Sequence, residues 1–153
     1  MCSIKKIAVC SRSFSRNKIL REELLSKYDN IIFNDEGLAL NGVGLIDFLH
    51  DATHVITALE TIDDVVLSQL PKLKVISKYG VGLDMIDMDS MRKYGIKLGW
   101  TGGTNRRSVS ELVVSLAISL LRHVPVAHAE VLSGEWRQHI GGHLSGRTVG
   151  IIG

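Results

Sequence analysis

The stretch LKVISKYGVGLDMID, residues 73–87, decides the architecture. LKVIS is a short apolar run with β-branched residues and reads as a buried strand. Lys78 alone separates it from Tyr79-Gly80-Val81-Gly82, and a helical segment follows over Asp87–Tyr94. Gly95 stands where a helix is commonly terminated, at the C′ position. Ile96–Leu98 is the next strand. Strand, glycine turn and helix together form one unit of a parallel α/β sheet.

The same alternation extends back to the N-terminus. KKIAVC (Lys5–Cys10), NIIF (Asn30–Phe33) and HVITA (His54–Ala58) read as strands. Between them, Asn17–Tyr28 carries Ile19, Leu20, Leu24 and Leu25 on one helical face, and Val43–Leu49 is a short helix. Asp63 and Asp64 open a further helix, where acids suit the positive end, and Pro71 stops it. Five strands within about one hundred residues imply a flavodoxin-like, parallel layer sandwich over residues 1–103. Such sheets bind ligands at the carboxyl ends of their strands. The loops of interest are therefore Ser11–Ser15, Leu59–Ile62, Lys78–Asp84 and Gly99–Asn105.

Residues 104–153 break this rhythm. Ser108–Leu121 reads as a long helix, with Ser108 and Glu111 in the S-x-x-E arrangement of a capping box. Its apolar residues cover more than one face, so the helix expects a partner beyond one side of a small sheet. Pro125 kinks or breaks it, and Val126–Leu132 resumes the helical pattern. TVGII, Thr148–Ile152, reads as a final strand leading to Gly153.

The 153 residues suffice for one domain of ordinary size, with 45% hydrophobic and 22% charged residues. A net charge of +2 supports neither nucleic-acid nor anionic-membrane binding, and no run of eighteen apolar residues suggests a span. Cys2 and Cys10 lie on either side of one strand, about 26 Å apart, too far to pair. A reducing, cytoplasmic setting is the expectation.

No complete G-x-G-x-x-G is present: Met85 follows Gly80-Val81-Gly82 at the third position, and Asp47 follows Gly42-x-Gly44. Two glycines one residue apart let a backbone take positive φ and gather its amides around an anion such as a carboxylate. The same spacing also suits a plain strand-to-helix turn. Arg106 and Arg107 are electrostatically unfavourable at a helix start, which fits either a solvated basic pair or an anionic partner. The six histidines form no metal-ligand pattern, and Cys10 reads as a small core residue.

LKVISKYGVGLDMID, the GIK strand, TGGTN, SVSE, the GEW turn and LSGRTVGIIG together resemble the D-isomer-specific 2-hydroxyacid dehydrogenase family. The resemblance implies NAD(P)-dependent oxidoreduction of small 2-hydroxy or 2-keto acids. It implies that the backbone of Tyr79, Gly80, Val81 and Gly82 binds the substrate carboxylate, with Leu59 and Glu60 lining the same cleft. Asn105 and Val109 match positions facing the nicotinamide, and Gly153 matches the first glycine of the dinucleotide fingerprint. The 108–121 helix matches the family's interdomain and dimer helix, which implies a homodimer. The family's catalytic arginine, glutamate and histidine lie further along the chain than Gly153. Residues 1–153 alone are therefore expected to be an inactive substrate-side fragment without bound NAD or NADP. A non-catalytic scaffold with the same fold is the alternative. Where the family commonly has Asn-Thr-Pro-Gly, this chain has Trp100-Thr101-Gly102-Gly103. Loss of the proline is expected to loosen that loop.

Overall fold

Five short apolar segments pair into one parallel sheet in the computed structural model, which describes residues 5–152. The strands are β1 (Ile7–Val9), β2 (Ile31–Phe33), β3 (His54–Thr57), β4 (Val75–Lys78) and β5 (Lys97–Gly99). Their order, β2-β1-β3-β4-β5, is that of flavodoxin-like sheets. The direction of winding reverses between β1 and β3, which opens a crevice at their carboxyl ends. Five helices connect the strands: α1 (Arg12–Arg16), α2 (Lys18–Leu25), α3 (Gly42–Leu49), α4 (Asp64–Ser68) and α5 (Met88–Lys93).

Strand periodicity sends alternate residues to opposite faces. Ala8 and Cys10 join one core with Leu45 and Leu49 of α3, Val66 and Leu67 of α4, and Met91 of α5. Ile7 and Val9 join the other with Phe14 of α1 and with Leu20 and Leu24 of α2. Local hydrogen bonds place the helix starts. The Asp63 carboxylate accepts from the Val66 amide at 2.9 Å, and that of Asp87 from the amides of Asp89 and Ser90 at 3.0 and 3.1 Å. Gly95, at φ +67°, reverses the chain after α5 as its position in the sequence implied.

Helix α1 was not legible in the sequence, where Ser11–Ser15 reads as a loop. The Ser11 hydroxyl accepts from the Phe14 amide at 3.2 Å and nucleates this single turn.

Contacts divide the chain into two compact units, Met1–Thr104 and Asn105–Gly153. The second contains α6 (Arg106–Leu121) and α7 (Val124–Leu132), bent from one another by 63°. The break falls at His123, which adopts a left-handed φ of 58°, with Pro125 in the first turn of α7. Within the described residues no single helix is long and apolar enough to cross a membrane.

Two local expectations are corrected here. Helix α6 begins at Arg106 rather than Ser108, so the S-x-x-E pair lies inside the helix and forms no capping box. The Ser108 hydroxyl instead donates to the Asn105 carbonyl at 2.9 Å, and Glu111 pairs with Arg107 at 3.0 Å. Residues 148–152 adopt no strand, because no described segment supplies them with a ladder of hydrogen bonds. Gly153 lies outside the described residues.

Candidate substrate-binding site

The turn after β4 and the loop after β5 enclose a cavity of ≈ 410 Å³ at the carboxyl edge of the sheet. Lys78, Tyr79, Gly80, Gly99, Trp100 and Thr104 are among its lining residues. The four backbone positions expected to hold a carboxylate differ in their hydrogen bonds. The Tyr79 amide donates to the Thr57 carbonyl at 2.8 Å and is committed to the sheet edge. Among the described residues, the amides of Gly80, Val81 and Gly82 donate to no protein acceptor. Three successive free donors suit a small anion.

Gly80 stands at φ +127°, a conformation reserved in practice for glycine. Gly82, expected to share that freedom, has no positive φ. What distinguishes Gly82 is its surroundings: a Cβ added there would lie 3.4 Å from an oxygen of Asp84.

Two side chains hold the cradle. The indole N–H of Trp100 donates to the Val81 carbonyl at 3.0 Å and ties the β5 loop to the glycine turn. Its ring passes so close to Gly102 that a Cβ at 102 would meet Cη2 at 2.9 Å. A side chain at 102, proline included, would therefore require the Trp100 ring to shift. The indole bond is a tie that this loop has where the family's proline is missing. Lys78 supplies the second tie, donating from Nζ to the Ala58 carbonyl of the loop after β3. The same ammonium lies 3.8 Å from where a Gly80 Cβ would be, which places positive charge beside the free amides.

The loop after β3 holds Leu59 and Glu60 in contrasting states. Leu59 is 74% exposed, whereas Glu60 is buried. Oxygen Oε2 of Glu60 accepts from the Thr57 hydroxyl at 2.8 Å and from the Ala58 amide at 2.7 Å. That carboxylate shapes its own loop, and Leu59 offers apolar surface. Cys10, at the end of β1, is fully buried. Burial first, and the Glu60 carboxylate second, push its thiol well above the ordinary cysteine range, so it stays protonated and inert.

The remaining expected positions belong to the second unit. Asn105 immediately precedes α6 and makes no side-chain cap, and Val109 in the first turn is half exposed. Arg107 is occupied by Glu111 on an exposed helix face, as a solvated pair would be. No group of three metal-ligating side chains gathers among the described residues.

The sequence pointed to no role for Lys78, Arg12 or Arg16, and marked Trp100 only as a departure from the family's asparagine. The strand-end position of Lys78 was the available signal, since it is the last residue of β4 before the glycine turn.

The chain is 35% identical over 111 residues to the D-3-phosphoglycerate dehydrogenase of Bacillus subtilis, covering 70% of this chain and 21% of that one. It is 31% identical over 136 residues to the glyoxylate reductase of Thermococcus litoralis, covering 82% of this chain and 41% of that one. The chain therefore spans less than half the length of either relative. A Polaromonas structure described as a D-isomer specific 2-hydroxyacid dehydrogenase, NAD-binding, superposes with a TM-score of 0.77 at 29% identity. That match covers 94% of this chain and 46% of the other. The family model for the catalytic domain of D-isomer specific 2-hydroxyacid dehydrogenases matches residues 7–146. The chain belongs to the D-isomer specific 2-hydroxyacid dehydrogenase family, whose catalytic domain accounts for nearly all of its length.

Proposed function

We propose that this chain supplies the substrate-side half of an NAD(P)-dependent oxidoreductase of D-2-hydroxy and 2-keto acids, and that residues 1–153 alone do not transfer hydride. Members of the family are oxidoreductases acting on CH–OH donors; they bind NAD and act on small 2-hydroxy or 2-keto acids. The observation that carries the reading is the run of free amides at Gly80, Val81 and Gly82, beside the Lys78 ammonium.

The chemistry follows from those groups. The amides and Lys78 bind the substrate carboxylate and fix its orientation at the edge of the sheet. Leu59 covers the substrate's carbon chain. Trp100 holds the cradle in shape through Val81. NAD supplies the hydride acceptor when bound, and Asn105 and Val109 at the start of α6 would face its nicotinamide. A proton must leave the hydroxyl as hydride leaves C2, and family enzymes assign this to a histidine paired with a carboxylate. Among the described residues, no histidine lines the cradle. The chain spans 41% of the glyoxylate reductase, which supports the proposal that turnover needs further protein. In the second unit, Leu112, Leu116 and Leu120 of α6 are each more than half exposed, which supports pairing of this helix in a homodimer.

The test is NADH oxidation by the purified chain with glyoxylate, pyruvate or hydroxypyruvate. No protein-dependent turnover is expected. Sustained turnover that scales with protein concentration would contradict the proposed incompetence of residues 1–153.

A further inference from the structure

The crevice between β1 and β3 holds a second cavity, of ≈ 310 Å³, beside the carboxylate cradle. Ser11, Arg12, Ser13 and Arg16 line it from α1 and the turn before it, and Leu59 and Glu60 from the loop after β3. We propose that this cavity is a subsite for a second anionic group of the substrate, phosphate or carboxylate, with Arg12 and Arg16 as its specificity-determining residues. This rests on the reading of Gly80–Gly82 as the cradle for the first carboxylate.

Four observations support it. First, neither guanidinium has an ion-pair or hydrogen-bond partner among the described residues, although both line the same cavity. Of the other arginines, Arg21 pairs with Asp35, Arg92 with Asp89 and Arg107 with Glu111, while Arg106 and Arg122 share the lack of a partner among the described residues but line no cavity with a second arginine. Second, the Arg16 guanidinium rests beside Gly37 in the chain after β2: its Nη2 would be 2.5 Å from a Cβ there, so the missing side chain leaves it room. Third, the one carboxylate in the cavity is already satisfied on one oxygen by Thr57 and Ala58, so two guanidinium groups outweigh it. Fourth, the two cavities adjoin. The Phe14 ring of α1 meets Tyr79 edge-on at 5.3 Å between centroids, and Lys78 of the cradle bonds the carbonyl of Ala58, which lines the crevice.

The reach is suitable. The carboxyl ends of β1 and β4 lie two strand spacings apart, about 10 Å. An acid of three to five carbons with an anion at each end, plus a hydrogen bond of about 2.9 Å at each end, spans that distance. Arginine forks bind phosphate and carboxylate in a bidentate manner, and the hydroxyl of Ser13 adds a donor.

The experiment is isothermal titration of residues 1–153 with D-glycerate, D-3-phosphoglycerate and D-2-hydroxyglutarate, repeated on Arg12→Gln and Arg16→Gln. At least one dianion is expected to bind about tenfold or more tightly than D-glycerate, and the tighter of the two identifies the group as phosphate or carboxylate. Each substitution should erase most of that advantage while leaving D-glycerate within about twofold. Equal binding of all three acids would overturn the subsite while leaving the cradle intact. An advantage that survives both substitutions would overturn the assignment to these arginines. Inorganic phosphate binding as tightly as D-3-phosphoglycerate would also overturn it, because the two groups would not then be read together. No binding of D-glycerate or of either dianion would overturn the cradle and the subsite at once. Both substituted residues are exposed, and the urea midpoint of each variant checks that it is folded.

Discussion

The indole N–H of Trp100 meets the Val81 carbonyl at 3.0 Å, and the ring rests on a glycine that has no side chain to obstruct it. Trp100→Phe keeps a ring but deletes the donor. A hydrogen bond of this type contributes about 0.5–1.5 kcal/mol net to stability, so a urea titration should show a loss of that size, and D-glycerate affinity should fall by up to about twelvefold as the turn loses its shape. Unchanged affinity would mean that the glycine turn keeps its shape without the latch. Cys10 makes the opposite kind of prediction. Its thiol is buried and held protonated by burial and by the Glu60 carboxylate. Iodoacetamide at pH 8 should modify Cys10 only after unfolding, as read by peptide mass spectrometry. Labelling of Cys10 in the folded chain on the timescale of an exposed thiol would contradict this burial.

The elements behave as their local chemistry requires. Asp63 caps α4 through the Val66 amide, so Asp63→Ala should cost about 1 kcal/mol in a urea titration. Leu45 of α3 is fully buried against the sheet, and Leu45→Ala should cost about 3 kcal/mol, within the usual spread of roughly 2–5. The five strands and the helices α2 to α5 were readable because apolar periodicity, Asp63 and Asp87 at helix starts, and Gly95 at a helix end all agree. Helix α1 was hidden because five residues with one large apolar side chain, Phe14, carry no period. Ser108 and Glu111 misled because the pair satisfies a pattern without being at the helix start. Thr148–Ile152 misled for a related reason: an apolar β-branched run records a preference, and a strand exists only where a neighbour supplies the ladder. In the site, Gly80 was legible from spacing. The Trp100 latch, the Lys78 tie and the arginines of the crevice were not, since each depends on loops far apart in sequence.

At the scale of the whole molecule, exposed carboxylates set the response to acid. Hydrogen bonding and charge from Lys72, with smaller contributions from His50 and Lys6, lower the Asp51 carboxyl from 3.8 to about 2. Asp64, bonded to Lys93, and Asp87, bonded to Ser90, are lowered as well. A carboxyl whose pKa is lower folded than unfolded favours the folded state above its unfolded value, and loses that contribution as pH falls through the folded one. Urea midpoints should therefore decline from about pH 4 towards pH 2, and Asp51→Asn should flatten part of that decline. A midpoint that holds or rises over this range would contradict it. In the proposed function a small acid seats its carboxylate on the free amides after β4. The most direct measurement is an amide nitrogen–proton NMR titration of residues 1–153 with D-glycerate. Saturable shifts centred on Gly80, Val81 and Gly82, with Tyr79 moving less because its amide is already bonded to Thr57, are the expected result. Saturation with those three amides unmoved, or with the largest shifts elsewhere, would contradict it.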